Sequence, residues 1–293
     1  MLGTAGDRAH KASAITTPPR SGSSQPRHCG RTTRLAVSLM THQYTTGDGA
    51  GPATGNALRI KDMRPDEIAA ALREDPRLIL PVGTCEQHGP HLPLGTATII
   101  VDRLADDLSA EFAVLRAPTI EYGVNVSAER GLTGNASLRK KTLHRTLNDL
   151  VDTWEEGGVR EFILLTAHGH DPHQEALATV ITAEARVRVV DVFGVPVGDL
   201  LEGQMEPMHG DEADTSLMLY LAPELVRMDL VRDNMMSREA LRRYRRGQLR
   251  LPADSGSSIG RPSLATAEKG RALYERIRSR ISDRIFLAPS PAD

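Results

Sequence analysis

Three short segments of this 293-residue chain each place histidine beside a carboxylate. In Gly83-Thr84-Cys85-Glu86-Gln87-His88-Gly89-Pro90-His91-Leu92-Pro93-Leu94-Gly95 the pair is Glu86 and His88. Two residues apart, they point the same way on an extended backbone. A carboxylate with an imidazole is the donor mixture that suits Zn, Mn or Fe. In Thr166-Ala167-His168-Gly169-His170-Asp171-Pro172-His173, three of the ten histidines fall within six residues. Gly169 lets the backbone approach a ligand, and Asp171 is placed to orient an imidazole. The third segment, His209-Gly210-Asp211-Glu212-Ala213-Asp214-Thr215-Ser216, opens a helix. Each has a plainer reading alone: a Gly/Pro turn satisfying its own backbone, a polar loop with Asp171 as helix N-cap, and ordinary acidic capping of a helix start. Together they supply what a hydrolytic metal site needs, donors converging from separate elements.

The elements that must position these residues follow from the apolar pattern. Pro65 with Asp66 and Glu67 opens a helix to about Glu74. Leu78 to Val82 reads as a buried strand leading into the first segment, and Glu161 to Thr166 as a central strand leading into the second. Val114 to Pro118 and Arg188 to Phe193 read as further strands. Helical spacing runs over Ile99–Phe112, Leu138–Gly157, His173–Arg186 and Leu264–Arg284. A helix begins again near Asp214 and runs to Leu221, closed by Pro223-Glu224-Leu225-Val226. Strands alternating with helices predict βαβ units: an α/β fold, one domain over 57–287 with a mostly parallel sheet flanked by helices. Ligands of such sheets bind at the carboxyl ends of the strands, where the first two segments fall. Residues 1–56, rich in Ser, Thr, Gly, Pro and Arg, are expected to be a disordered extension, and 288–293 a tail.

Composition narrows the function. Lys and Arg number 36 against 38 Asp and Glu, for a net charge of −2, and aromatics are 3%. That balance leaves no footprint for nucleic acid or an anionic membrane. The run Arg242-Arg243-Tyr244-Arg245-Arg246 is read as a solvated helix face. Two cysteines, Cys29 and Cys85, make no disulfide framework and lack metal-type spacing. With no apolar run near ~18 residues and no secretory leader, a cytoplasmic protein is expected. No G-x-G-x-x-G opens a helix after a strand, and no G-x-S-x-G elbow is present, which disfavours a Rossmann dehydrogenase and a serine hydrolase.

The run from Glu86 to Thr96 resembles the signature E-Q-H-G-P-H-L-P-L-G-T-D of the creatininase (creatinine amidohydrolase) family. The loop at His168-Gly169 resembles its N-G-H segment, and His209 to Ser216 its H-A-G-x-x-E-T-S segment. Pro223 to Val226, Gly260-Arg261-Pro262 and Ala265 to Gly270 continue in the family's manner, so that the resemblance covers about 58–286. It implies a creatininase-like fold, a homo-oligomer and a metal-dependent amidohydrolase. Glu86 and His88 then match ligands on two metals of a dinuclear site, His168 matches a third ligand, and His209 matches a histidine implicated in proton transfer.

The chain departs from that pattern within the implied pocket. The family's bridging Asp falls on Ala97, its second-loop Glu or Gly on His170, and its Glu before Thr-Ser on Asp214. Thr166 and Asp171 replace Asn, Leu132-Thr133-Gly134-Asn135 replaces F-P-G-T, and an upstream His falls on Ala128. The expected site is therefore one divalent metal (Zn, Mn or Fe) on Glu86, His88 and His168, with His170 or Asp214 completing the shell. His209 and His170 are the expected catalytic groups, acting on the C–N bond of a small metabolite or peptide-like amide, cyclic or open. Two rival readings keep the scaffold: a different reaction (ring opening, dehydration or amide formation) on a specialised metabolite, or a non-catalytic homologue.

Overall fold

A computed structural model of the chain describes residues 56–127, 131–249 and 258–287. The extension expected over 1–56, save its last residue, the tail at 288–293 and Ala128 lie outside the described residues. Four parallel strands form one sheet in the order β2-β1-β3-β4, with β1 Arg77–Pro81, β2 Leu115–Arg116, β3 Glu161–Thr166 and β4 Arg186–Asp191. The register pairs Leu78 with Phe162, Pro81 with Leu165 and Leu164 with Val189. Because β1 and β3 are adjacent and parallel, the loops that leave them emerge side by side.

The central strands are continuous apolar runs because both of their faces are covered. Ile79, Ile163 and Leu165 pack on one side against α2 (Thr96–Phe112), α5 (Glu212–Leu221) and α7 (Ala267–Ile281). Leu78, Leu80, Phe162 and Leu164 pack on the other against α3 (Lys140–Glu156), with Ile68 of α1 (Pro65–Glu74) and Leu177 of α4 (Asp171–Ala178). The α/β class and the parallel sheet expected from the sequence are thus observed. No described helix is long and apolar enough to cross a membrane.

Several boundaries differ from expectation. The helix predicted over 173–186 stops at Ala178, where Thr179-Val180-Ile181-Thr182 brings β-branched side chains of low helix propensity. The strand predicted over 114–118 shortens to two residues at the sheet edge, ahead of Pro118, which has no N–H to donate. The C-terminal helix begins later than Leu264, because Thr266 caps it by accepting from the Lys269 N–H at 3.2 Å. It passes into a π turn at Ser282–Phe286. The arginine run lies on a separate helix, α6 (Arg238–Arg245), with Tyr244 turned inward and Arg242, Arg243 and Arg246 exposed.

Helices α5 and α7 meet almost backbone to backbone. A Cβ at Gly270 would lie 1.8 Å from the Ser216 carbonyl oxygen. Further along α7 the Tyr274 hydroxyl donates to Asp107 Oδ2 of α2 at 2.7 Å, both side chains being buried. Tyr274→Phe is expected to cost about 1–2 kcal/mol, because Asp107 loses one donor but keeps Arg103 at 3.1 Å. Urea denaturation of the two proteins measures it.

Candidate metal centre

The first segment is fixed before it reaches the site. Val82 donates to the Leu165 carbonyl and Gly83 to that of Ile120, each at 2.8 Å, and Glu86 donates to Leu94 O at 2.9 Å. Glu86 is thereby carried into the interior and is fully buried. Its Oε2 lies 3.0 Å from His168 Nδ1. Its Oε1 is buried without a hydrogen-bond partner. A carboxylate oxygen left so is costly unless a cation faces it.

The imidazoles around Glu86 are oriented by backbone carbonyls. His88 Nδ1 donates to Glu86 O at 2.9 Å, which leaves its Nε2 lone pair for a ligand. Burial first, and His209 second, depress the His88 pKa to about 3, so the ring is neutral. His168 Nε2 donates to Val124 O at 3.0 Å. Its Nδ1 therefore turns toward the Glu86 carboxylate, and two lone pairs at that separation require a cation between them. In the metal-free protein that cation is a proton. Burial alone would lower the His168 pKa, but the Glu86 charge and hydrogen bond outweigh it and raise the value above 6.5. Glu86 is itself held well below the carboxylate range: His168 overcomes the opposing effect of burial.

The third segment reaches the site through Gly210. Its φ is +61°, and a Cβ there would stand 2.4 Å from His88 O, so a side chain at this position would push the loop away. His209 then lies over His88, ring centroids 4.5 Å apart, with Nε2 2.7 Å from Gln87 O. Ligand atoms of Glu86, His88 and His209 all lie within 4.8 Å of one another. The structure thus brings His209, expected as a proton donor, into the donor group, while His168 joins through Glu86.

Asp214 sits in the first turn of α5 and its Oδ2 accepts from the Gly210 N–H at 2.8 Å. Burial, then the neighbouring Asp211 charge, push its carboxyl up to about 8, so that it carries a proton at neutral pH. Asp211 is the N-cap of that helix, accepting from Ala213 and Asp214 N–H groups at 2.9 Å. His170, half-buried at the N-cap position of α4, has its pKa lowered to about 4 by burial and then by His168. Asp171 is exposed and makes no hydrogen bond to a described imidazole, so neither the orienting nor the N-cap role expected of it is present. The helix begins at Asp171 itself, so this exposed carboxylate sits within its first turn rather than capping it.

Sequence reasoning missed two features. His173 is a fully buried support: its Nδ1 accepts from the Val124 N–H at 3.2 Å and its Nε2 meets Thr166 Oγ1 at 3.0 Å. It stands edge-on to His168 and must be neutral, as burial makes it. The second is a cavity of about 150 Å³ lined by the polar His168, His170 and Asp214 together with Val126, Leu241 and Tyr244. Only the three-residue spacing of Leu241 and Tyr244, hidden among arginines, signalled that lining. Ala97, where the resemblance places a bridging Asp, is 1% exposed and packed in the apolar cluster under α2.

Comparison with known proteins bears on the fold and the family. The creatininase family model, described as creatinine amidohydrolase, matches residues 61–285. The mycofactocin precursor peptide peptidase of Mycolicibacterium smegmatis is 30% identical over 220 residues, 72% of this chain and 84% of that one. A crystal structure of creatinine amidohydrolase superposes with a TM-score of 0.69 at 22% identity, over 80% of this chain and 99% of that one. A manganese form of creatininase gives 0.66 at 21%, over 78% and 97%. At these identities the superpositions speak for the fold, whereas the family match spans nearly all of the described domain: the chain belongs to the creatininase family.

Proposed function

We propose that this chain hydrolyses an amide bond of a peptide-like substrate at a site holding one divalent cation. The observation that carries the reading is Glu86 Oε1, buried without a partner inside a group of neutral or oriented imidazoles. A carboxylate with two or three histidines fits Zn or Mn. Glu86, His88 and His209 would hold the ion, with His168 joining once its Nδ1 proton leaves. A cation there would supply positive charge that acidifies water and polarises an amide carbonyl. The packed methyl of Ala97 offers no bridging oxygen, which supports one ion rather than two.

The chain's own groups complete the chemistry. His170, neutral and lining the cavity, is placed to accept a proton from water at its ring nitrogen. Asp214, also in the lining and protonated at neutral pH, is placed to return one to the leaving nitrogen. The peptidase named among the relatives supports a peptide-like amide as the substrate class.

Metal titration tests the site. Metal-free protein should bind one Mn²⁺ or Zn²⁺ per chain by calorimetry and release about one proton, that held between Glu86 and His168. His168 keeps this proton to a pH above 6.5, so affinity should rise about tenfold per pH unit through 6.5 and continue beyond it. An affinity independent of pH, or two tightly held ions, would contradict the site as drawn. Failure of the loaded protein to cleave any of a mixed peptide library would contradict the reaction.

A further inference from the structure

The wall of the cavity formed by α6 has no part in the amide chemistry. Leu241 and Tyr244 face the cavity and, with Val126 and Ile259, tie that helix to the body through an apolar cluster of its own. The outer side of the helix is basic. Five arginines stand from Arg238 to Arg246 against one acid, Glu239, in a chain of net charge −2. Arg238, Arg242, Arg243 and Arg246 are exposed, and none of their side chains has an ion pair among the described residues. Elsewhere among the described residues exposed arginines are either paired, as Arg227 is with Asp229 and Arg271 with Glu275 at 2.8 Å, or unpaired one at a time, as Arg73 and Arg145 are; what sets α6 apart is that its unpaired arginines are clustered beside the cavity.

This arrangement works against the helix itself. Arg238 and Arg242, and Arg242 and Arg246, are like charges four residues apart, a spacing that destabilises a helix. The final arginines gain from the helix dipole, but Arg238, in the first turn, stands at its unfavourable end. An anion bound from outside would relieve both. We propose that α6 is a specificity element: it binds acidic side chains of a peptide whose scissile amide lies in the adjoining cavity. Binding by α6 does not require the amidohydrolase reading; only the cleavage of the bound peptide rests on it.

Binding without turnover separates the two. A fluorescein-labelled, glutamate-rich peptide and its glutamine counterpart are titrated by anisotropy with the metal-stripped full chain. The glutamate peptide should bind at least about tenfold more tightly, and the difference should shrink at high salt. Arg242→Glu with Arg243→Glu should weaken its binding about tenfold, whereas Arg271→Glu with Arg276→Glu, on α7, should leave it unchanged. Circular dichroism checks that the reversed helix remains folded, and the salt dependence of the wild type does not depend on that variant. Equal binding of the two peptides, equal loss in the α7 variant, or stronger binding of a short oligonucleotide would overturn the proposal. Charge-selective binding without hydrolysis by the metal-loaded protein would overturn the reaction instead; hydrolysis without charge selectivity would overturn only the role of α6.

Discussion

Glu86→Gln should leave the purified protein without stoichiometric metal and lower amide hydrolysis by about 10³-fold or more, the several kcal/mol that a catalytic cation contributes. The amide is nearly the same size, so packing around this fully buried side chain is preserved and the change is one of charge. The same substitution acts in two ways. The orphaned Oε1 no longer attracts a cation, and His168 loses the negative partner that holds its proton. Without the Glu86 charge, burial is the largest influence left on the His168 ring and lowers its pKa against the Val124 hydrogen bond, so proton release on metal addition should fall along with affinity. His168→Asn should behave more mildly, about 10–100-fold in metal affinity, because Glu86, His88 and His209 would still hold the ion. Elemental analysis and calorimetry on the two variants give the ranking. A Glu86→Gln protein with a full metal complement would remove the centre from this part of the molecule.

Gly270→Ala should be the most damaging single methyl in the fold. The added carbon would lie 1.8 Å from Ser216 O and 2.5 Å from its carbonyl carbon, and both are backbone atoms that no rotamer change can move. Helices α5 and α7 must separate by more than an ångström, which opens the cluster holding Leu217, Leu273 and Ile277. A cost of about 3 kcal/mol or more is expected, and with it a fall in Tm of about 10 °C for a domain of this size. The effect should reach the site, because α5, capped by Asp211, carries Asp214 in its first turn. Calorimetric melting with and without metal measures both. A Tm within a degree or two of the parent would show that the helices are not in the contact described.

The parts legible in the sequence were those whose cause is local. Short apolar runs such as Phe162 to Leu165, flanked by turn residues, read as buried strands between helices, and their ends then locate the site. Glu86 and His88 were visible because donor type and two-residue spacing are sequence properties. Which histidine does what was not legible. His168 and His173 sit five residues apart, one in the loop after β3 and the other in the first turn of α4, yet one shares a proton with a carboxylate from the loop after β1 and the other is locked to Val124 and Thr166. That division depends on where Val124 arrives, a long-range matter. The state of Asp214 likewise depends on burial beside Asp211, and a carboxylate at a helix start is ordinarily ionised. Helix α4 was overextended because apolar spacing outlasted helix propensity at Thr179–Thr182.

The packing of Ala97 bears on the history open to this chain. A carboxylate introduced there would lie charged in an apolar cluster until a second cation arrived to neutralise it. A second cation, in turn, has no bridging oxygen to bind until that carboxylate exists. Neither step is favourable before the other, so a two-ion centre would require both at once. Substitution by alanine is easy in one direction and obstructed in the other. On the one-ion centre proposed above, descendants of this protein would be confined to exploring what that ion, the surrounding histidines and the α6 wall can do.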